Sequence, residues 1–140
     1  MNDRCRRFRE LHQSGCFVIL NPWDIGSAKL LVQLGFKALA TTSAGLAWAC
    51  GLPDHGLTLE VKLAHLRAIT GAVDVPVNAD FERGFATEPA RVAANVTTAV
   101  MTGIAGLSIE DSSGDPAVPL YDFELAVERI RAGSTGPIPG

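Results

Sequence analysis

Residues 75–84 read Val-Pro-Val-Asn-Ala-Asp-Phe-Glu-Arg-Gly, and residues 105–111 read Ala-Gly-Leu-Ser-Ile-Glu-Asp. Each begins as a short apolar run and ends in acids: Asp80 and Glu82 in the first, Glu110 and Asp111 in the second. Runs this short and this apolar suit strands buried on both faces, as in a parallel sheet with helices outside. Acids at the C-terminal ends of neighbouring parallel strands stand at the mouth where such folds keep their chemistry. Several carboxylates meeting there repel one another unless a cation or protons separate them. The expected cation is Mg2+, which prefers oxygen ligands and keeps several waters. Asp80, Glu82 and Glu110 are its candidate ligands. The competing structural reading is that strand-end acids stabilise the helices that follow, by ~0.3–1 kcal/mol each through the helix dipole.

Working outward, residues 3–13 place Cys5, Phe8 and His12 at helical intervals, and Gly15 ends that helix. Residues 16–20, Cys-Phe-Val-Ile-Leu, read as a buried strand followed by the loop Asn-Pro-Trp-Asp at 21–24. A helix from Ser27 carries Leu30, Leu31 and Leu34 to a stop at Gly35. Residues 37–41 give a second strand that runs into the small residues Thr42, Ser43, Ala44 and Gly45, expected as a loop whose amides approach an anion. Thr58 is placed to cap a helix with its apolar stripe at Leu59, Leu63, Leu66 and Ile69. Residues 75–79 form strand three, and Pro89 opens a helix facing inward through Val92, Val96 and Val100. Strand four follows Gly103, and Asp122 starts a last helix. Residues 133–140, rich in Gly and Pro, read as a flexible tail, leaving residues 1–132 as one domain.

Regular strand–helix alternation argues for an α/β fold of parallel strands with right-handed crossovers. A complete eight-stranded barrel takes ~250 residues. The 140 residues hold an N-terminal helix and about four βα units, which is the N-terminal half of a (β/α)8 barrel. At 47% hydrophobic the chain can build a core, and a net charge of −3 offers no basic patch, so no nucleic-acid partner is expected. No apolar run approaches the ~20 residues of a membrane helix, so no membrane partner is expected either. Cys5, Cys16 and Cys50 have no metal-ligand spacing and read as free thiols of a cytoplasmic protein.

Five motifs in order carry a resemblance: residues 21–24, 40–45, 51–54 (Gly-Leu-Pro-Asp), 77–84 and 106–111. Together they resemble the isocitrate lyase / phosphoenolpyruvate mutase superfamily over nearly residues 8–132. The resemblance implies a Mg2+-dependent enzyme that makes, breaks or rearranges a C–C or C–P bond in a small 2-oxo or 2-hydroxy carboxylate. It implies Asp80 and Glu110 as metal residues. Relatives with two aspartates flanking an alanine have here Asn78 and Asp80, and Glu82 lies where it can reach the same side of the mouth. Residues Thr42, Ser43, Ala44 and Gly45 resemble the loop that receives the substrate's anionic end, with Trp23 and Asp24 beside it. Asp54 matches an acid on a mobile loop and is the candidate catalytic residue for proton transfer or gating.

Two departures narrow the expectation. The lyases proper carry a Cys-Gly-His acid–base motif after the Ile-Glu-Asp segment, and the mutases carry a Lys-Thr-Asn-Ser-like gating loop there. Residues 112–120, Ser-Ser-Gly-Asp-Pro-Ala-Val-Pro-Leu, contain neither. The later strands, with the arginine that relatives use on substrate carboxylates, lie outside the 140 residues. The bland readings stay open: Asp24 as a helix cap, Asp54 as turn chemistry, Trp23 as packing, Glu82 as solvated or paired with Arg83 or Arg91, and His65 as a surface residue. The whole chain has its own alternative, a catalytically inert half-barrel or assembly module. Because half a barrel leaves strand edges and an apolar face open, with Val18, Leu20, Val77 and Ile109 expected inside, a homo-oligomer is expected.

Overall fold

Helix caps and short buried strands set the architecture of the computed structural model, which describes residues 3–135. Helix α1 (Asp3–Leu11) leads, and α2 (Ile25–Gln33) follows from an Asp24 cap whose carboxylate accepts the Ser27 amide while the Ser27 hydroxyl accepts the Asp24 amide. Strand β1 (Leu39–Ala40) runs into α3 (Ser43–Ala49), and α4 (Leu59–Ala72) starts at Thr58, whose hydroxyl accepts the Val61 amide. Strand β2 (Val77–Asp80) is followed by α5 (Pro89–Val100), with proline in its first turn, where no amide partner is lost. Strand β3 (Gly106–Ser108), a hairpin of β4 (Ser112–Asp115) and β5 (Val118–Leu120), and α6 (Phe123–Thr135) complete the order.

The three inner strands pair in parallel in chain order, β1-β2-β3. Leu39 stands opposite Val77, and Asp80 stands opposite Ser108. This register sets the ends of β2 and β3 side by side at the C-terminal edge of the sheet. One face of the sheet packs on helices: Ala79 and Phe81 join Leu63, Leu66, Val92, Val96, Ala99 and Ile104. Leu39 and Val77 join Ala28, Ile69 and Val73. The expected stripes on α4 and α5 are therefore the core, as their spacing predicts.

Four expectations are revised. Residues 16–20 do not form a strand of their own length: only Leu20 bridges Leu39, and Val18 is 63% exposed. Val77 faces the helices and not the opposite face. Strand side chains alternate, so it is Asn78 and Asp80 that point away from that core. Residues 42–45 are no loop: Thr42 caps α3, its hydroxyl accepting the Gly45 amide at 3.2 Å. A Cβ on Gly45 would lie 2.6 Å from Trp23 Nε1, so the small residues serve close packing of that turn. Gly133, Ser134 and Thr135 belong to α6, and a Cβ at Gly133 would touch Ile109 and Val96. The rest of the expected tail, residues 136–140, lies outside the described residues.

Candidate metal and substrate site

Asp80 ends β2 with both carboxylate oxygens engaged. Oδ2 accepts the amide and the hydroxyl of Ser43, each at 2.7 Å, and Oδ1 accepts the Glu82 amide at 3.2 Å. The Thr41 hydroxyl in turn accepts the Asp80 amide. Burial opposes the ionised form of Asp80, but the two Ser43 hydrogen bonds and the charge of Lys62 outweigh it and hold the carboxyl below the usual range. The consequence for the expected anion-receiving turn is direct. The Ser43 amide and hydroxyl already serve Asp80.

The next residues form a tight turn with unusual backbone. Glu82 (φ 47°), Gly84 (φ 74°) and Phe85 (φ 57°) all lie in the left-handed region, which costs a non-glycine residue ~1–3 kcal/mol and persists only where the surroundings fix it. Here the surroundings are hydrogen bonds. Asn95 Nδ2 donates to the Gly84 carbonyl at 2.9 Å. Arg129 of α6, 1% exposed, donates to the carbonyls of Arg83, Ala86, Thr87 and Glu110 and lies 4.1 Å over the Tyr121 ring. One guanidinium thus ties the turn after β2 to the segment after β3. The Glu110 amide completes the link by donating to the Glu82 carbonyl at 2.8 Å.

Glu82 is 1% exposed, so the solvated reading does not hold, and its close ionic contact among the described residues is His55, with Arg83 acting only through its charge. Its Oε2 faces His55 Nδ1 at 3.5 Å, and its Oε1 is buried with no partner among the described residues. Burial pushes the Glu82 carboxyl up, with Lys62 and His55 opposing. Glu110 is pushed up too, by burial and then by the Asp80 charge. The three acids named from the strand ends therefore sit at one end of the sheet, and Asp80 and Glu110 sense each other electrostatically. Asp54 lies on the loop before α4, accepting the His55 amide at 2.9 Å, and its charge reaches Glu110. His55 has φ 62°, so this loop is also held in a costly conformation over the acids.

Trp23 and Trp48 meet edge-to-face at 6.0 Å and are both substantially exposed, while Asp24 is engaged in its cap. Two participants escaped the sequence reading. Lys62, on α4, is fully buried and lies in the field of Asp80, Glu82 and Glu110. His65, one turn on, is no surface residue: burial and the Lys62 charge press it down to about 4, and its Nε2 is buried without a partner among the described residues. Spacing does carry a signal for Lys62, which stands three residues after Leu59 and four before Leu66 and so lies on the apolar stripe itself; His65 stands off that stripe.

Among the described residues no three His, Cys, Asp or Glu side chains close into a metal cage. Mg2+ does not require one, since it binds through one or two carboxylates and retains waters. The donors present fit that habit: oxygen atoms only, one of them a buried carboxylate oxygen lacking any donor, and two carboxyls pushed up by burial that a cation would relieve.

Parallel strand–helix units with acids at the strand ends are the arrangement of barrel folds. The phosphoenolpyruvate phosphomutase model matches residues 8–137, and the chain belongs to that family. An uncharacterised protein of Mycobacterium tuberculosis, Rv1998c, is 37% identical over 127 residues, covering 89% of this chain and 46% of that protein. A crystal structure of a lyase/mutase-type protein from Burkholderia cenocepacia matches with TM-score 0.92 at 42% identity, over 97% of this chain and 51% of that one. Phosphonopyruvate hydrolase, solved with oxalate and Mg2+, matches in fold with TM-score 0.91 at 23% identity, over 97% and 49%. The chain spans about half the length of the relatives it matches, and its fold is the N-terminal half of their (β/α)8 barrel. Among the described residues no helix is long and apolar enough to cross a membrane.

Proposed function

We propose that this chain carries the metal half of a lyase- or mutase-type active site. The reaction class is cleavage or rearrangement of a C–C or C–P bond in a small 2-oxo or 2-hydroxy carboxylate, through an enolate. The observation that supports this best is the grouping of Asp80, Glu82 and Glu110 at adjacent parallel strand ends, with Asp80 held ionised. Asp80 and Glu110 would hold Mg2+, with Glu82 behind them. What the cation supplies when bound is positive charge that stabilises negative charge developing on substrate oxygen. The chain's own residues do the rest. Ser43 and Thr41 fix Asp80, Arg129 fixes both acid-bearing segments, and Asp54, whose charge reaches Glu110 and whose neighbour His55 meets Glu82, would serve proton transfer or gating. Trp23 offers an aromatic edge near the α3 turn.

The cation is tested by titrating Mg2+ into the purified chain in a calorimeter. Binding should be measurable in the native sequence and weaken by about tenfold or more in Glu110→Gln, through loss of a charged oxygen ligand. No heat in the native chain, or unchanged affinity in Glu110→Gln, would overturn this assignment. A second reading, an assembly module working as a homo-oligomer, is favoured by the exposed apolar edge at Val18. Sedimentation at rising concentration separates a self-associating chain from a monomer.

A further inference from the structure

Lys62 is the one buried cation that faces the three acids from α4 among the described residues. It is 0% exposed, and its Nζ has no hydrogen-bond acceptor among the described residues. Lysines are almost never fully buried unless paired, because an ammonium is strongly hydrated. An aliphatic side chain of the same length would fill this position without that cost. Burial presses the Lys62 ammonium down from its ordinary value, and the charges of Asp80, Glu82 and Glu110 oppose that shift in part. Glu82 Oε1 is the matching orphan: a buried acceptor without a donor in the same acidic setting. A donor without an acceptor and an acceptor without a donor mark a site built around something further, a water or a ligand oxygen.

We propose that Lys62 is a positioning residue, the built-in counter-cation of the acid cluster. It holds the carboxylates of Asp80, Glu82 and Glu110 together when no divalent cation is bound, and by repulsion it limits how tightly the site takes one. The site then exchanges its cation readily instead of retaining it. This rests on the cation reading of the three acids, and its sign is opposite to that of a ligand. Removing a ligand weakens binding, whereas removing Lys62 strengthens it.

The test is calorimetric titration of Mn2+ into the full chain as native, Lys62→Met, Lys62→Gln and Glu110→Gln. Each variant is first checked for native helix content by circular dichroism. Methionine keeps the volume and glutamine keeps a polar tip, so one neutral variant remains informative if the other fails to fold. Both should bind Mn2+ about tenfold or more tightly than the native chain, since a unit charge has left the field of a divalent ion in a partly dry site. Equal or weaker binding in both neutral variants, with the native chain binding and Glu110→Gln impaired, would overturn the role of Lys62 alone. Absence of binding in all four chains would overturn the cation reading and this inference together.

Discussion

The end of β2, at the centre of the sheet, and the segment 16–20, at its outer edge beyond β1, are built on opposite terms. At Asp80 both carboxylate oxygens and the backbone amide are engaged, and β2 has a strand on each side. At residues 16–20 one bridge, Leu20 to Leu39, joins the segment to the sheet, and Val18 points into solvent. The difference teaches where the order of this half-barrel comes from. A parallel strand gains its definition from neighbours on both sides and from the helix it covers. β2 has both. The edge has one neighbour, and it stays ragged. The candidate site lies on the well-built side, so the chain can present organised acids even while its edge is open.

The sharpest way to break this contrast is Arg129→Met. The guanidinium is buried and bonds four carbonyls, drawn from the two acid-bearing segments. Hydrogen bonds to a charged group are worth ~1.5–3 kcal/mol each, and the stranded carbonyls would add a penalty. The expected loss is about 3 kcal/mol or more, read as a drop in urea midpoint at unchanged slope. A loss below about 1 kcal/mol would mean the strained turn at Glu82 and Phe85 holds itself, and the two regions differ less than the hydrogen bonds suggest.

A smaller effect is expected from Asp80→Asn, which keeps the shape and removes the charge. Partial exposure screens the contribution, so the cost at neutral pH is about 1 kcal/mol. Its pH dependence carries the information. The folded-state carboxyl titrates below its ordinary 3.8, so the native state binds fewer protons than the unfolded chain in that window. The stabilisation is therefore fully present above 3.8 and is lost as pH falls through the lower, folded value. Urea midpoints of the two proteins should run apart at neutral pH and converge in acid. A gap that persists unchanged into acid would assign the cost to geometry and not to charge. Glu82 and Glu110 act with the opposite sign: their carboxyls are pushed up, so their ionisation costs stability as pH rises past the ordinary glutamate range.

Most of this architecture was legible in the residues because it depends on local pattern. The caps at Thr58 and Asp24, the stripe on α4, the proline entry of α5 and the acids at strand ends each announce themselves within one turn or one strand. What was not legible depends on distant partners. Nothing near Lys62 in sequence says that Asp80, Glu82 and Glu110 will surround it, and nothing near Glu82 says that His55 will meet it. The turn at residues 42–45 looked free to receive an anion because its occupant, Asp80, comes 37 residues later. The inward placement expected of Val77 fails for a related reason. Val77 and Ala79 alternate with Asn78 and Asp80, and the pattern does not say which side the helices take.

The smallest expected effect on stability belongs to Val18→Ser, and it isolates the other region. At 63% exposure the Val18 side chain has little burial to lose, so the urea midpoint should move by no more than ~0.5 kcal/mol. Self-association is a different matter. An edge with one neighbour presents unpaired amides and carbonyls, and an apolar side chain beside them favours pairing with another chain. The native chain should therefore show concentration-dependent light scattering, and Val18→Ser should reduce it while leaving cation binding at the acids untouched. If the variant scatters as much as the native chain, association runs through another exposed apolar surface, of which Phe123, at 77% exposure on α6, is the next to test. If instead the variant loses several kcal/mol, the edge is stitched into the sheet in solution, and the contrast with β2 disappears.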